Sequence, residues 1–138
     1  MTQPDTKQLL TLIVEDVDDM AQMISDVLDS MHISNHRAAD GPSALKVLER
    51  YTPDLLILDI GLPGMNGWEV LKKIEDHHPD VNFPVIVLTA YTDPTNRVIG
   101  RLHAHVYHFM NKPFKPSFLA QVIRSALHLD EEASQGES

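Results

Sequence analysis

The feature that most constrains this chain is a regular alternation. Short apolar runs, each closed by a polar residue, are separated by stretches where apolar side chains return every three or four positions. Leu55-Leu56-Ile57-Leu58 is apolar throughout, and a strand with no polar side must be covered on both faces. Leu9 to Val14, Pro84 to Leu88 and Val106 to Met110 read the same way, with Asn35 to Ala39 a weaker strand. Between them lie helical patterns. From Asp19 to about Met31 the apolar positions are Met20, Met23, Ile24, Val27, Leu28 and Met31, a core-facing stripe with Asp18 or Asp19 as its cap. Asp40-Gly41-Pro42-Ser43 starts a second helix carrying Ala44, Leu45, Val47 and Leu48, and Thr52-Pro53 ends it. After the Gly61-Leu62-Pro63-Gly64 loop, Trp68 to His77 reads as a third, with Val70, Leu71 and Ile74 inward. A short fourth starts at Asp93-Pro94 and is weakened by Gly100. Ser117 to Leu129 forms the last, its apolar set including Phe118, Leu119, Val122, Ile123, Ala126 and Leu127. Strand and helix in alternation, five times over, predict an α/β fold: a doubly wound parallel sheet with helices on both faces.

The length of 138 residues suits one domain, and 43% apolar residues supply a core. The expected organisation is a disordered N-terminus over 1–8, a domain over 9–129 and a disordered acidic tail over 130–138. The tail reads as a natural acidic end, so a stand-alone domain is expected rather than one cut from something longer. Cysteine is absent, which rules out disulfides and thiolate metal sites. No secretory leader is expected, and no apolar run approaches the roughly 20 residues of a membrane span. A cytoplasmic protein without membrane attachment is therefore the expectation. The net charge of −9 argues against direct nucleic-acid binding.

In a doubly wound sheet, ligands bind beyond the carboxyl ends of the strands. Here the first run ends in Glu15-Asp16, the third in Asp59, the fourth in Thr89 and the fifth in Lys112. Three carboxylates, a hydroxyl and an ammonium are the groups needed to hold a divalent cation beside a phosphoryl group. Mg2+ takes oxygen ligands, and unpartnered carboxylates on one rim would repel each other without a cation. Phosphoryl transfer needs positioning and charge neutralisation above all.

The segments LIVED (12–16), LLILDIGLPGMNG (55–67), VIVLTA (85–90) and NKPF (111–114) resemble the signature blocks of response-regulator receiver domains, the CheY-like switches of two-component phosphorelay systems. The resemblance covers about 9–129. It implies a flavodoxin-like five-stranded sheet of order 2-1-3-4-5 with five helices. It also implies that Asp59 is the phosphoacceptor, forming a 4-aspartylphosphate. Mg2+ would be bound by Asp16, Asp59 and the backbone carbonyl of Gly61, with Glu15 acting through water. Lys112 and Thr89 would contact the phosphoryl group, Thr89 and Phe109 would form the switch, and Lys112-Pro113 would be cis. The protein would not be a conventional enzyme, although it would catalyse its own phosphorylation and dephosphorylation. Its partners would be a histidine kinase or histidine phosphotransfer protein and a downstream protein. The expected partner face lies on the fourth helix, fifth strand and last helix, at His103, Tyr107, Phe109 and Arg124. Tyr91, two residues beyond Thr89, either covers the phosphoryl group against water or points to solvent from the loop after the fourth strand.

The chain departs from the family at HAHVYHF (103–109), where small residues are usual. His103, His105 and His108 invite a metal-site reading, but no carboxylate accompanies them in sequence, and exposed partner-surface histidines are expected instead. Strand alternation puts Tyr107 and Phe109 on one face. Two rival readings are a pseudo-receiver scaffold that is never phosphorylated and a haloacid-dehalogenase-type phosphatase built on Asp16-Val17-Asp18. The phosphatase needs a further acidic pair at a strand end after Lys112, and the only later acids lie beyond the last helix.

Overall fold

A computed structural model describes residues 8–90 and 94–129. The order is β1 (Leu10–Val14), α1 (Asp18–Ser30), β2 (Ser34–Ala38), α2 (Gly41–Leu48), β3 (Leu55–Asp59), α3 (Gly67–His77), β4 (Val85–Thr89), α4 (Pro94–Arg101), β5 (Val106–Asn111) and α5 (Pro116–Ala126). The strands form one sheet in the order β2-β1-β3-β4-β5, with every neighbouring pair parallel. This is the predicted flavodoxin-like arrangement.

The apolar runs become central strands because both their faces are covered. Leu12, Val14, Leu56, Leu58, Val85 and Val87 face one core with Ala44 and Leu48 of α2 and Val70, Leu71 and Ile74 of α3. Ile13, Leu55, Ile57, Ile86 and Leu88 face the other, with Ile24, Val27 and Leu28 of α1 and Leu119, Val122 and Ile123 of α5. Met20, Met23 and Met31 lie against this second core, as the periodicity predicted. Each fully buried Leu or Ile contributes about 1.5–3 kcal/mol, so the two cores dominate the stability.

Helix starts follow local chemistry. Asp40 caps α2 by accepting from the Ser43 N–H at 2.8 Å, and this contact holds its carboxyl below the usual range. Asn66 and Glu69 form a reciprocal capping box at α3. α1 differs from expectation: its N-cap is Val17, without a side-chain cap bond, and Asp18 and Asp19 occupy the first turn. There they still face the positive end of the helix dipole. Gly64 takes φ +76 in the loop after β3, a conformation open to glycine and strained for other residues.

Two predictions fail around β5 and α5. The register of β4 with β5 shifts between Val85 and Ile86, so Val85 pairs with Val106 while Ile86 pairs with His108. That extra residue breaks the alternation. Tyr107 turns to α5, where its hydroxyl meets the Ser125 hydroxyl, while Phe109 lies with the α3-side core. Phe118, predicted as core, is 43% exposed, and its ring and that of His108 meet edge to face.

Candidate functional site

Register brings the strand ends together. Val14 pairs with Leu58, so Glu15 emerges beside Asp59; Asp59 pairs with Leu88, just before Thr89; and Thr89 pairs with Asn111, just before Lys112. Single carboxylate oxygens of Glu15, Asp16 and Asp59 all lie within 4.8 Å of one another. Glu15 is fully buried and Asp59 and Thr89 are nearly so, while Asp16 stands at the solvent edge.

The Lys112 ammonium lies 2.8 Å from Glu15 Oε1 and 3.3 Å from Asp59 Oδ2. Glu15 Oε2 accepts the Val17 N–H, and Asp59 Oδ1 accepts the Gly61 N–H at 3.0 Å. Burial pushes the Glu15 carboxyl up, with the Asp59 charge adding to it, against the opposing hydrogen bonds from Lys112 and Val17. Burial alone would lower Lys112, but its hydrogen bonds and charge contacts with Glu15 and Asp59 outweigh it and hold the ammonium above its usual range. Among the described residues, three carboxylates against one ammonium leave a surplus of negative charge and a set of oxygen donors. That donor set fits a hard divalent cation such as Mg2+.

Two supports were not legible in the sequence. Arg37 of β2 donates from Nε to the Glu15 carbonyl at 3.0 Å and from a terminal nitrogen to Asp18 at 2.9 Å, bracing the loop after β1. Asp18 therefore serves this ion pair and stands outside the acidic cluster, contrary to a phosphatase-type Asp-x-Asp site. Gly67 is the second support. A Cβ there would lie 2.6 Å from the Asp59 carbonyl oxygen and 2.8 Å from the Ile60 Cα, both backbone atoms. Gly67→Ala is expected to cost about 1–3 kcal/mol, the usual range for overpacking. Urea denaturation checks it; an unchanged midpoint would show that the loop shifts freely.

Lys112-Pro113 is cis, as expected. Phe109 is half-buried, with its ring centroid 6.1 Å from that of Trp68. The three histidines separate instead of clustering. His103 is only 14% exposed and binds Glu75 of α3, and His108 meets Phe118. The sole acidic-histidine grouping of metal-binding size among the described residues is Glu15, Asp16 and Asp59. Of the expected partner-face residues, Tyr107 is exposed, whereas His103, Phe109 and Arg124 are half-buried. The exposed-histidine expectation thus fails at His103, because a carboxylate 28 residues away in sequence lies beside it. Tyr91 and the tail acids fall outside the described residues.

A family profile described as the response regulator receiver domain matches residues 11–124. The DNA-binding response regulator MtrA of Mycolicibacterium smegmatis is 34% identical over 128 residues, which cover 93% of this chain and 54% of MtrA. The response regulator PleD of Caulobacter vibrioides is 31% identical over 114 residues, covering 83% of this chain and 25% of PleD. The chain thus spans about half the length of the MtrA relatives, or less in PleD. Among solved structures, the chemotaxis protein CheY4 of Vibrio cholerae superposes with a TM-score of 0.81 at 27% identity, covering 88% of this chain and 100% of CheY4. A putative response regulator from Chloroflexus aurantiacus gives 0.79 at 33% identity, covering 88% and 99%. Among the described residues, no helix is long and apolar enough to cross a membrane.

Proposed function

The chain belongs to the response regulator receiver domain family, and on that premise we propose that it is a signalling switch operated by phosphorylation of Asp59. The observation that carries the reading is the convergence of Glu15, Asp16 and Asp59 within 4.8 Å, with the Lys112 ammonium against two of them. The donor is a histidine kinase or a histidine phosphotransfer protein. A carboxylate oxygen of Asp59 attacks phosphorus, the phosphorus–nitrogen bond of phosphohistidine breaks, and its electron pair leaves with the imidazole. The Gly61 N–H holds one Asp59 oxygen and so fixes the plane of the carboxylate. Lys112 and Thr89 take two oxygens of the transferred group, by charge and by hydrogen bond. Asp16 and Asp59 with the Gly61 carbonyl would hold Mg2+, and Glu15 would help through water. The chemistry a cation held by these residues would supply is neutralisation of negative charge on the phosphoryl group.

The signal leaves through protein contacts. Val98, Leu102, Tyr107 and Phe118 are exposed apolar side chains on or next to α4, β5 and α5, which supports that face as the output surface. DNA binding is named for MtrA, of which this chain spans about half, and forms no part of the reading here.

With acetyl phosphate and Mg2+, the intact protein should gain the mass of one phosphoryl group; with EDTA it should gain none. A chain that stays unlabelled under both conditions, at any donor concentration, behaves as a pseudo-receiver and overturns the proposal.

A further inference from the structure

A groove between α2 and α3 takes no part in the Asp59 chemistry. Its volume is about 650 Å3, within the roughly 300–1,000 Å3 typical of ligand sites. Its lining runs from Pro42 in the first turn of α2 to Glu49 just past its end, and from Met65 ahead of α3 to His78 just past that helix. The groove thus follows both helices along their whole length, 8 and 11 residues, or about 12 and 16 Å at the helical rise. A trough two to three turns long suits another helix better than a compact small molecule.

The floor is apolar. Leu45 and Met65 are half-buried, packed on the outer edge of the α3-side core. Met65 lies over Gly41, where a Cβ would come 3.0 Å from its sulfur, and its unbranched thioether adapts to whatever packs against it. The rim is basic, with Lys46 on α2, Lys73 and His77 on α3, and His78 at its end. The whole chain carries 11 lysines and arginines against 20 acids, yet here two lysines and two histidines meet one carboxylate, Glu49. Among the described residues neither ammonium is ion-paired, whereas the adjacent Lys72 is held by Asp76 at 3.3 Å. His77 donates from Nδ1 to the Lys73 carbonyl at 2.8 Å, which fixes its ring against the last turn of α3.

We propose that the α2–α3 groove is a docking site for an acidic amphipathic helix of a partner protein, with its apolar stripe on Leu45 and Met65 and its carboxylates on Lys46 and Lys73. Charge complementarity selects this occupant. The acidic surface elsewhere repels such a helix, and a basic helix would be drawn away from the groove. The site shares no lining residue with α4, β5 or α5, and it does not rest on the Asp59 reading. Sequence patterns place the two lysines on separate polar faces; only the packing of α2 beside α3 puts them on one rim.

The test uses the untreated 138-residue chain and a fluorescein-labelled helical peptide of about three turns, with leucines along one stripe and glutamates beside them. Anisotropy reads its affinity and amide shifts read its place. Binding should shift amides over 41–49 and 65–78 and weaken as salt screens the rim. The same peptide with lysine for glutamate, or with serine for leucine, should not bind there. Lys46→Glu with Lys73→Glu should weaken the acidic peptide about ten-fold or more, since attraction becomes repulsion at two places. Lys46→Gln with Lys73→Gln only removes charge, so its loss should be smaller; it also carries the test if the reversed variant does not fold. Arg101→Glu with Lys115→Glu makes the same change in net charge at exposed positions outside the groove and should leave the affinity nearly unchanged. Shifts confined to other residues, equal binding of the lysine peptide, unchanged affinity in the reversed variant or an equal loss in the Arg101 and Lys115 variant would each overturn the proposal. So would a chain that sediments as a dimer and moves these same amides on dilution without peptide, since the groove would then hold a second copy.

Discussion

Asp59→Asn should accept no phosphoryl group from acetyl phosphate or phosphohistidine, against one group in the wild type. The asparagine side chain fills the same space, and its oxygen can still accept the Gly61 N–H that Asp59 Oδ1 accepts at 3.0 Å. Its other end becomes an NH2 facing the Lys112 ammonium, which lies 3.3 Å from Asp59 Oδ2. Donor then meets donor, and the anionic nucleophile is gone. The pocket also falls from three carboxylates to two, so Mg2+ affinity should drop. Trp68 reports this, since the indole is 9% exposed and belongs to the helix seated on the Asp59 carbonyl. Intact-mass spectrometry decides the first point and fluorescence titration the second. Unchanged labelling of Asp59→Asn would place the acceptor elsewhere.

Lys112→Ala is expected to fold yet to lose most of the partner affinity gained on phosphorylation. Its ammonium lies against two buried carboxylates, and after transfer it would be the fixed counter-charge of the phosphoryl group. A hydrogen bond to a charged group contributes about 1.5–3 kcal/mol, so the gain should shrink on the order of ten- to a hundred-fold. Folding survives because Glu15 can neutralise itself. Burial already raises its carboxyl and Lys112 opposes that rise; without Lys112 the pKa climbs further, and the group takes up a proton instead of remaining an unpaired buried charge. The partner is first recovered by pull-down with the beryllofluoride-treated form. Its affinity is then compared before and after phosphorylation, and amide shifts over 94–125 provide a second readout. Normal activation by either measure would refute the role of Lys112.

The sequence by itself determined the architecture and the acidic pocket. A run such as Leu55-Leu56-Ile57-Leu58 has no polar side to offer water, so it can only be a covered strand, and β3 is buried at every position. Once the strands are parallel, their carboxyl ends share a rim. Glu15, Asp16, Asp59, Thr89 and Lys112 therefore had to converge, since each closes or follows an apolar run. Both inferences use periods of two and 3.6 residues, which are local properties of the backbone. What the tertiary structure decided is non-local. Gly100 read as a defect in a short helix, yet a Cβ there would strike Phe109. Tyr107 and Phe109 read as same-face neighbours until the shifted pairing of β5 with β4 sent them to opposite sides. His103 read as exposed because nothing nearby in sequence reveals Glu75 beside it. Such contacts depend on how finished elements stack against one another. Stacking matches surfaces across long stretches of chain, and it leaves no periodic trace in either partner's sequence.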